Sequence, residues 1–145
     1  MRDKPMKQIL RKKSLKIAII LLVLYALLVV LFESSLGYFQ PESASTLQIA
    51  TINADGTVNQ RILARIDSAG QLYVAANHWP RAWYREALAN PSVEVNLESG
   101  QGSYIAVPVE GAEHDSVNAD SSLGLMFRIL TGFPPRYFLR LDPAG

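Results

Sequence analysis

The sequence predicts a mainly β protein: a six-stranded antiparallel split β-barrel with two short helices, preceded by one transmembrane helix. Three observations carry this. An uncharged apolar run follows a basic tail, short alternating segments separated by turn signals fill the rest, and both helix-like stretches fall between strands. In so short a chain an antiparallel sheet avoids exposed edges most readily by closing or splitting into a barrel.

The charge distribution divides the 145-residue chain. Seven basic residues (Arg2, Lys4, Lys7, Arg11, Lys12, Lys13 and Lys16) stand against Asp3 alone in residues 1–16, and the remainder carries seven arginines, no lysine and twelve acids. A net charge of about +6 in the tail is thus joined to one of about −5 in the domain. Basic residues gathered beside an apolar run, rather than over a folded face, argue against nucleic-acid binding.

The run "IAIILLVLYALLVVLF", Ile17 to Phe32, holds sixteen residues without a charge. At about 1.5 Å per residue it is slightly shorter than a hydrocarbon core of roughly 30 Å. Lys16 can snorkel at one end, and Tyr38 and Phe39 suit the interface at the other. A cleaved signal peptide shares the basic start, but the run is long for its apolar segment and no small-x-small site follows closely. An uncleaved anchor is therefore expected over residues 17–39, after a basic cytoplasmic tail (1–16) and before a linker (40–45) and a barrel domain (46–145). No Lys or Arg follows the span until Arg61, so the positive-inside rule puts the domain outside the cytoplasm.

"SSLGYFQPESAS", Ser34 to Ser45, turns polar and contains Gly and Pro. "TLQIATIN" (Thr46–Asn53) and "VNQRILARI" (Val58–Ile66) flank "ADGT", a hairpin signal. "QLYVAA" (Gln71–Ala76) follows the turn "DSAG" and is expected to complete a three-stranded meander. Pro80 suits a first helical turn, "RAWYREALA" favours helix, and Asn90–Pro91 stop it. "SVEVNLE" (Ser92–Glu98) alternates with Val93, Val95 and Leu97 inward. In "SYIAVPVE" (Ser103–Glu110), Pro108 implies an edge strand or a bulge. A second helix is expected between Asp120 and Thr131, with Leu123, Met126, Phe127 and Leu130 on its apolar side, Gly132 as cap and Pro134–Pro135 beyond. "RYFLRLD" (Arg136–Asp142) closes the sheet as a strand.

Several chemistries find no support. His78 and His114 are not spaced as a helical ligand pair, and there is no cysteine, so no metal site is expected. Neither a G-x-S-x-G elbow nor the glycine-rich phosphate loops occur. What remains is an anion site with aromatic walls where the strand ending at Ala76 passes through "NHW" into the helix. Free N–H groups in a first helical turn attract phosphate or carboxylate. Arg81 stands in that turn, where a cation is unfavourable without an anion nearby. Asn77 and His78 add donors, and Trp79, Trp83 and Tyr84 offer flat surfaces to a planar ring. The alternative is ordinary packing: Trp83 with Ala87, and Tyr84 with Leu88, have the i,i+4 spacing of a core stripe. Arg61 and Arg65 face water by default, and His114 reads as surface. No catalytic residue is assigned.

The stretch "QLYVAANHWPRAWYREALANPSVEVNL" resembles the central region of the deazaflavin-dependent nitroreductase and quinone reductase family, whose members are similar to pyridoxamine-phosphate-oxidase-type split β-barrels. Pro80, Ala82, Trp83, Tyr84, Leu88, Ala89, Asn90, Pro91, Val93 and Val95 match its pattern, with Arg81 as an extra residue, and "FPPRYFLRLD" is similar to its ending. The resemblance covers about residues 46–142. It implies an 8-hydroxy-5-deazaflavin coenzyme or FMN bound by Asn77, His78, Trp79, Arg81, Trp83 and Tyr84, with hydride passed to a quinone or similar electrophile, and a homodimer as the assembly. Where the family has a basic "GRKSG"-like loop, this chain reads "INADGTVNQ", with an acid and no cation. That departure leaves open an alternative, a non-catalytic anchored barrel that has lost its phosphate contacts.

Overall fold

A computed structural model describes residues 4–38, 45–77 and 82–145. His78, Trp79, Pro80 and Arg81, the end of the expected anchor at Phe39 and nearly all of the 40–45 linker lie outside the described residues. The elements run α1 (Lys4–Tyr38), β1 (Thr46–Ile52), β2 (Val58–Ala64), β3 (Ile66–Ser68), β4 (Gln71–Ala76), α2 (Ala82–Ala89), β5 (Ser92–Leu97), β6 (Gly100–Val109), α3 (Gly111–Asp120), α4 (Leu125–Leu130) and β7 (Tyr137–Pro143).

The expected apolar helix is present. Its segment Arg11–Leu36, 26 residues, is long and apolar enough to cross a membrane. The strands form one antiparallel sheet in the order β2-β1-β5-β6-β7-β4-β3, curled into a half-barrel that brings β2 near β4.

The strand count rises from the expected six to seven because Val58–Ile66 breaks at Arg65. There the Arg65 N–H donates to the Ser45 carbonyl, and its guanidinium forks onto both carboxylate oxygens of Asp67 at 2.8 and 3.0 Å. Ile66–Ser68 then pairs with β4, not with β1. The three-stranded meander is likewise corrected. β2 pairs with β1, whereas β4 lies between β3 and β7, so two hairpins sit at opposite ends of the sheet.

The hairpin turn between β1 and β2 forms as expected. Asn53 Oδ1 accepts from the N–H groups of Asp55 and Thr57, and Gly56 takes φ +86°, which its missing Cβ permits. Val93 and Val95 are buried along β5 as the alternation predicts. Pro108 sits in β6, which has neighbours on both sides. The β5 ladder ends at Ile105, so the missing N–H of Pro108 disturbs no bond on that edge.

The helix expected between Asp120 and Thr131 is present as the shorter α4, and an unexpected helix, α3, precedes it. α3 ends at Asp120, where Ser121 bonds to the Val117 carbonyl through both N–H and Oγ, and α4 restarts at Leu125. Met126 is 68% exposed instead of packed inward.

The sheet separates two apolar clusters. Inside the curl, Trp83, Tyr84 and Ala87 of α2 pack on Ile49, Val74, Val95, Leu139 and Leu141. On the outer face Val117 of α3 packs with Tyr73, Val109 and Phe138. Strand alternation does this sorting, since odd and even residues of β4 and β7 point to opposite faces.

Candidate functional site

The outer face of β7 carries Arg136, Phe138 and Arg140, and α3 lies across it. Arg140 is tied down by carboxylates. Its guanidinium donates to Glu113 Oε1 at 2.8 Å and to both oxygens of Asp142 at 2.7 and 3.1 Å. Tyr73 Oη donates to the same Glu113 oxygen at 2.9 Å. Bonding to Arg140 holds the carboxyls of Glu113 and Asp142 below their ordinary values, while burial, then the Glu113 contact, pushes the Tyr73 hydroxyl up. This network fastens α3 to β4 and β7.

Arg136 is different, because its partners are neutral. Its Nε donates to Asn77 Oδ1 at 3.0 Å, and its terminal nitrogens donate to Asn118 Oδ1, the Ser121 carbonyl and Ser121 Oγ. The ring of Phe138 lies 4.8 Å from the guanidinium carbon, a cation–π contact. Burial, followed by the nearby charge of Arg128, lowers the pKa of Arg136, although guanidinium stays protonated. No carboxylate is within ion-pair distance of Arg136 among the described residues. A half-buried cation without a counter-ion favours an anion at its open side.

That side opens on a cavity of about 260 Å³, lined by Asn77, His114, Asn118, Ser122, Leu123, Arg128, Thr131, Phe133, Pro134 and Arg136. His114 Nε2 lies 3.1 Å from the Arg136 carbonyl, which only accepts, so this nitrogen carries the hydrogen. Asn77 and Asn118 spend their Oδ1 atoms on Arg136, leaving their amide N–H groups as further donors. Two guanidiniums and two amides around one cavity can hold a phosphate or carboxylate.

The sequence-predicted residues divide. Asn77 lines the cavity. Trp83, 2% exposed, is core packing on the other face of the sheet, edge-on to Tyr84 at 5.8 Å. Tyr84 is buried against Tyr137, centroids 5.8 Å apart, and burial raises its hydroxyl pKa. The structure thus joins Asn77 to Arg136 and leaves Trp83 and Tyr84 across the sheet from them. No sequence motif marks Arg136, Arg128 or Asn118, and His114, which reads as surface from sequence, lines the cavity and bonds to the Arg136 carbonyl. One signal did exist: Arg136, Phe138 and Arg140 alternate with Tyr137, Leu139 and Leu141, placing two arginines on one face.

No protein-family model and no curated protein matches the chain. Solved structures do. An F420-H2 dependent reductase (FDR-A) is 20% identical, the match covering 66% of this chain and 93% of the other at a TM-score of 0.51. The heme storage protein HutZ of Vibrio cholerae is 21% identical over 79% and 91% of the two chains, with a TM-score of 0.51. A protein solved as a domain-swapped dimer is 16% identical over 68% and 80%, at 0.55. The chain therefore has the split-barrel fold of these proteins, consistent with the family that its central motif resembles.

Proposed function

We propose that this chain is a membrane-anchored oxidoreductase that uses a flavin or deazaflavin to pass hydride to a quinone or similar electrophile. The observation that carries the reading is Arg136: a half-buried guanidinium with neutral partners, facing a cavity rich in donors. The F420-H2 dependent reductase among proteins of this fold, and the matched central motif, supply the cofactor class.

The residues present fit the anionic part of such a cofactor. A 260 Å³ cavity falls just below the roughly 300–1,000 Å³ of sites that enclose a whole small molecule, so it suits a phosphate-bearing chain better than a tricyclic ring. Arg136, Asn77 and Asn118 would hold that end, and His78 and Arg81, close to Asn77 in sequence, would add donors. Trp79 and Tyr84 would bound the ring, and Trp83 would keep Tyr84 in place from within the core. A ligand touching both Arg136 and Tyr84 would have to pass around the sheet, because the two lie on opposite faces of it. When bound, the cofactor supplies the hydride chemistry; the protein binds, orients and excludes water. A second copy of the chain would complete the ring side; a protein of the same fold was solved as a domain-swapped dimer. By the positive-inside rule the domain lies outside the cytoplasm.

Absorbance and fluorescence titrations of the detergent-purified full-length protein test this directly. Saturable binding of FMN or of the deazaflavin coenzyme is expected; silence with both removes the reading.

A second reading, a non-catalytic anchored barrel, is favoured by the turn between β1 and β2. Asp55 occupies it, accepts from the Thr57 N–H at 2.8 Å, and has its pKa lowered chiefly by that threonine. No cation stands there. This reading expects a cooperative thermal transition with no cofactor response.

A further inference from the structure

α4 makes its contacts on the membrane-spanning helix. Tyr25 Oη donates to the Ile129 carbonyl at 2.8 Å, and the rings of Phe32 and Phe127 meet edge to face at 5.9 Å. Gly132 approaches so closely that an added Cβ would lie 3.2 Å from Val29 Cγ1. The α1 residues used, Tyr25, Val29 and Phe32, fall inside the span Arg11–Leu36. At about 1.5 Å per residue they lie roughly 6 to 16 Å below its Leu36 end. Half of a hydrocarbon core is roughly 15 Å thick. A helix seated there is level with acyl chains, not with water.

The side of α4 turned away from α1 suits that depth. Leu125 is 67%, Met126 68% and Phe133 50% exposed, apolar side chains of α4 and its end that the described residues leave uncovered. The backbone is prepared as well. The Phe127 carbonyl accepts from the N–H and Oγ1 of Thr131, that of Arg128 from the Phe133 N–H, and that of Ile129 from the Gly132 N–H and Tyr25. In water such terminal carbonyls need no protein partner; in lipid each one left open costs several kcal/mol. Arg128, 5.3 Å from the Phe133 ring, lies at the rim where the apolar group meets the cavity, within reach of lipid phosphate.

We infer that α4 and Phe133 are embedded in the bilayer leaflet nearest the domain, with the acyl chains as the partner of Leu125, Met126 and Phe133. The inference rests on α1 being a true membrane anchor. It goes beyond that anchor by making the domain itself a membrane-inserted body whose donor-lined cavity opens at the lipid surface.

The chain has no cysteine, so single-cysteine variants report one position each. Leu125→Cys, Met126→Cys, Leu24→Cys and Asp55→Cys would be labelled with an environment-sensitive fluorophore in the full-length protein. Each would be reconstituted into phosphatidylcholine vesicles with and without nitroxide on the acyl chains. Labels at Leu125 and Met126 should be blue-shifted and quenched at least about half as strongly as that at Leu24, with Asp55 unaffected. Quenching at Leu24 but not at either α4 position overturns the inference and leaves the anchor standing. A blue-shifted α4 label that lipid nitroxide does not reach means that protein covers α4, and overturns it too. No quenching at Leu24 removes the anchor, and the inference falls with it. Both α4 side chains are exposed, so these substitutions leave the cores intact.

Discussion

Arg136 Nε donates to Asn77 Oδ1 at 3.0 Å, joining the start of β7 to the end of β4 across 59 positions of sequence. The bond holds together two residues that line the same cavity. Arg136→Gln should weaken binding of FMN or inorganic phosphate by roughly ten- to 150-fold, the equivalent of about 1.5–3 kcal/mol for a charge-assisted contact. Fluorescence titration gives the affinity, and a thermal melt of the same sample checks that the fold persists. Unchanged affinity in a folded variant would discard the anion site.

Trp83 is a core residue by its burial, so its removal should be felt in stability. Trp83→Ala is expected to cost about 3–5 kcal/mol by urea denaturation, through lost burial and the cavity left behind. Trp83→Phe should cost less and leave cofactor affinity within about twofold. A large affinity change in a stable Trp83→Phe variant would assign the indole to the ligand instead.

Glu86 fastens α2 to the first hairpin. Its carboxylate accepts from Thr51 Oγ1 at 2.6 Å and Asn59 Nδ2 at 2.9 Å, and Thr51 is fully buried. Glu86→Ala leaves that hydroxyl with only a 3.5 Å contact to the Asn59 carbonyl. A loss of about 1–3 kcal/mol is expected in urea denaturation.

Acid should loosen α3. The folded pKa values of Glu113 and Asp142 lie below their unfolded ones, so their contribution is complete above the unfolded carboxylate range of about 4 and is lost as pH falls through the folded values. The urea midpoint should drop on acidification below about pH 4, and Glu113→Gln should flatten that slope. Tyr73 has the opposite sign. Its raised pKa means stability present below the unfolded value of about 10 and lost as pH climbs through the folded one, an alkaline loss that Tyr73→Phe should abolish.

Gly132 combines two constraints, φ of +74° after α4 and a close approach to Val29. Gly132→Ala should destabilise by about 1 kcal/mol or more from the left-handed backbone alone. The Val29 methyl must also shift slightly, which adds a steric term at the α1–α4 contact. Comparing the variant with Gly132→Ala/Val29→Ala by thermal melting in detergent separates the terms: the double variant should recover the steric part only.

Local chemistry was enough for much of this protein. A charge-free run behind a basic tail makes α1, alternating β-branched residues make β5, an Asn and Gly three residues apart shape the first turn, and Asn90–Pro91 end α2, each because the cause lies within a few residues. Other features have no local cause. "GAEHDSVNAD" has no apolar stripe, so α3 exists through what packs on it: Val117 in the outer cluster, Glu113 on Arg140, Asp120 on Ser68. Helical spacing puts Met126 on an apolar face without saying what covers it, and the fold leaves it exposed. Hairpin signals describe adjacent strands only, so they miss the ladder of β4 with β7, which closes a loop of more than sixty residues. Sequence alone determined most of the strand segments, the first turn and the membrane-length helix. Only the tertiary structure decided that Asn77 meets Arg136 while Trp83 lies across the sheet, because which face a side chain takes depends on pairing between strands that the chain keeps far apart.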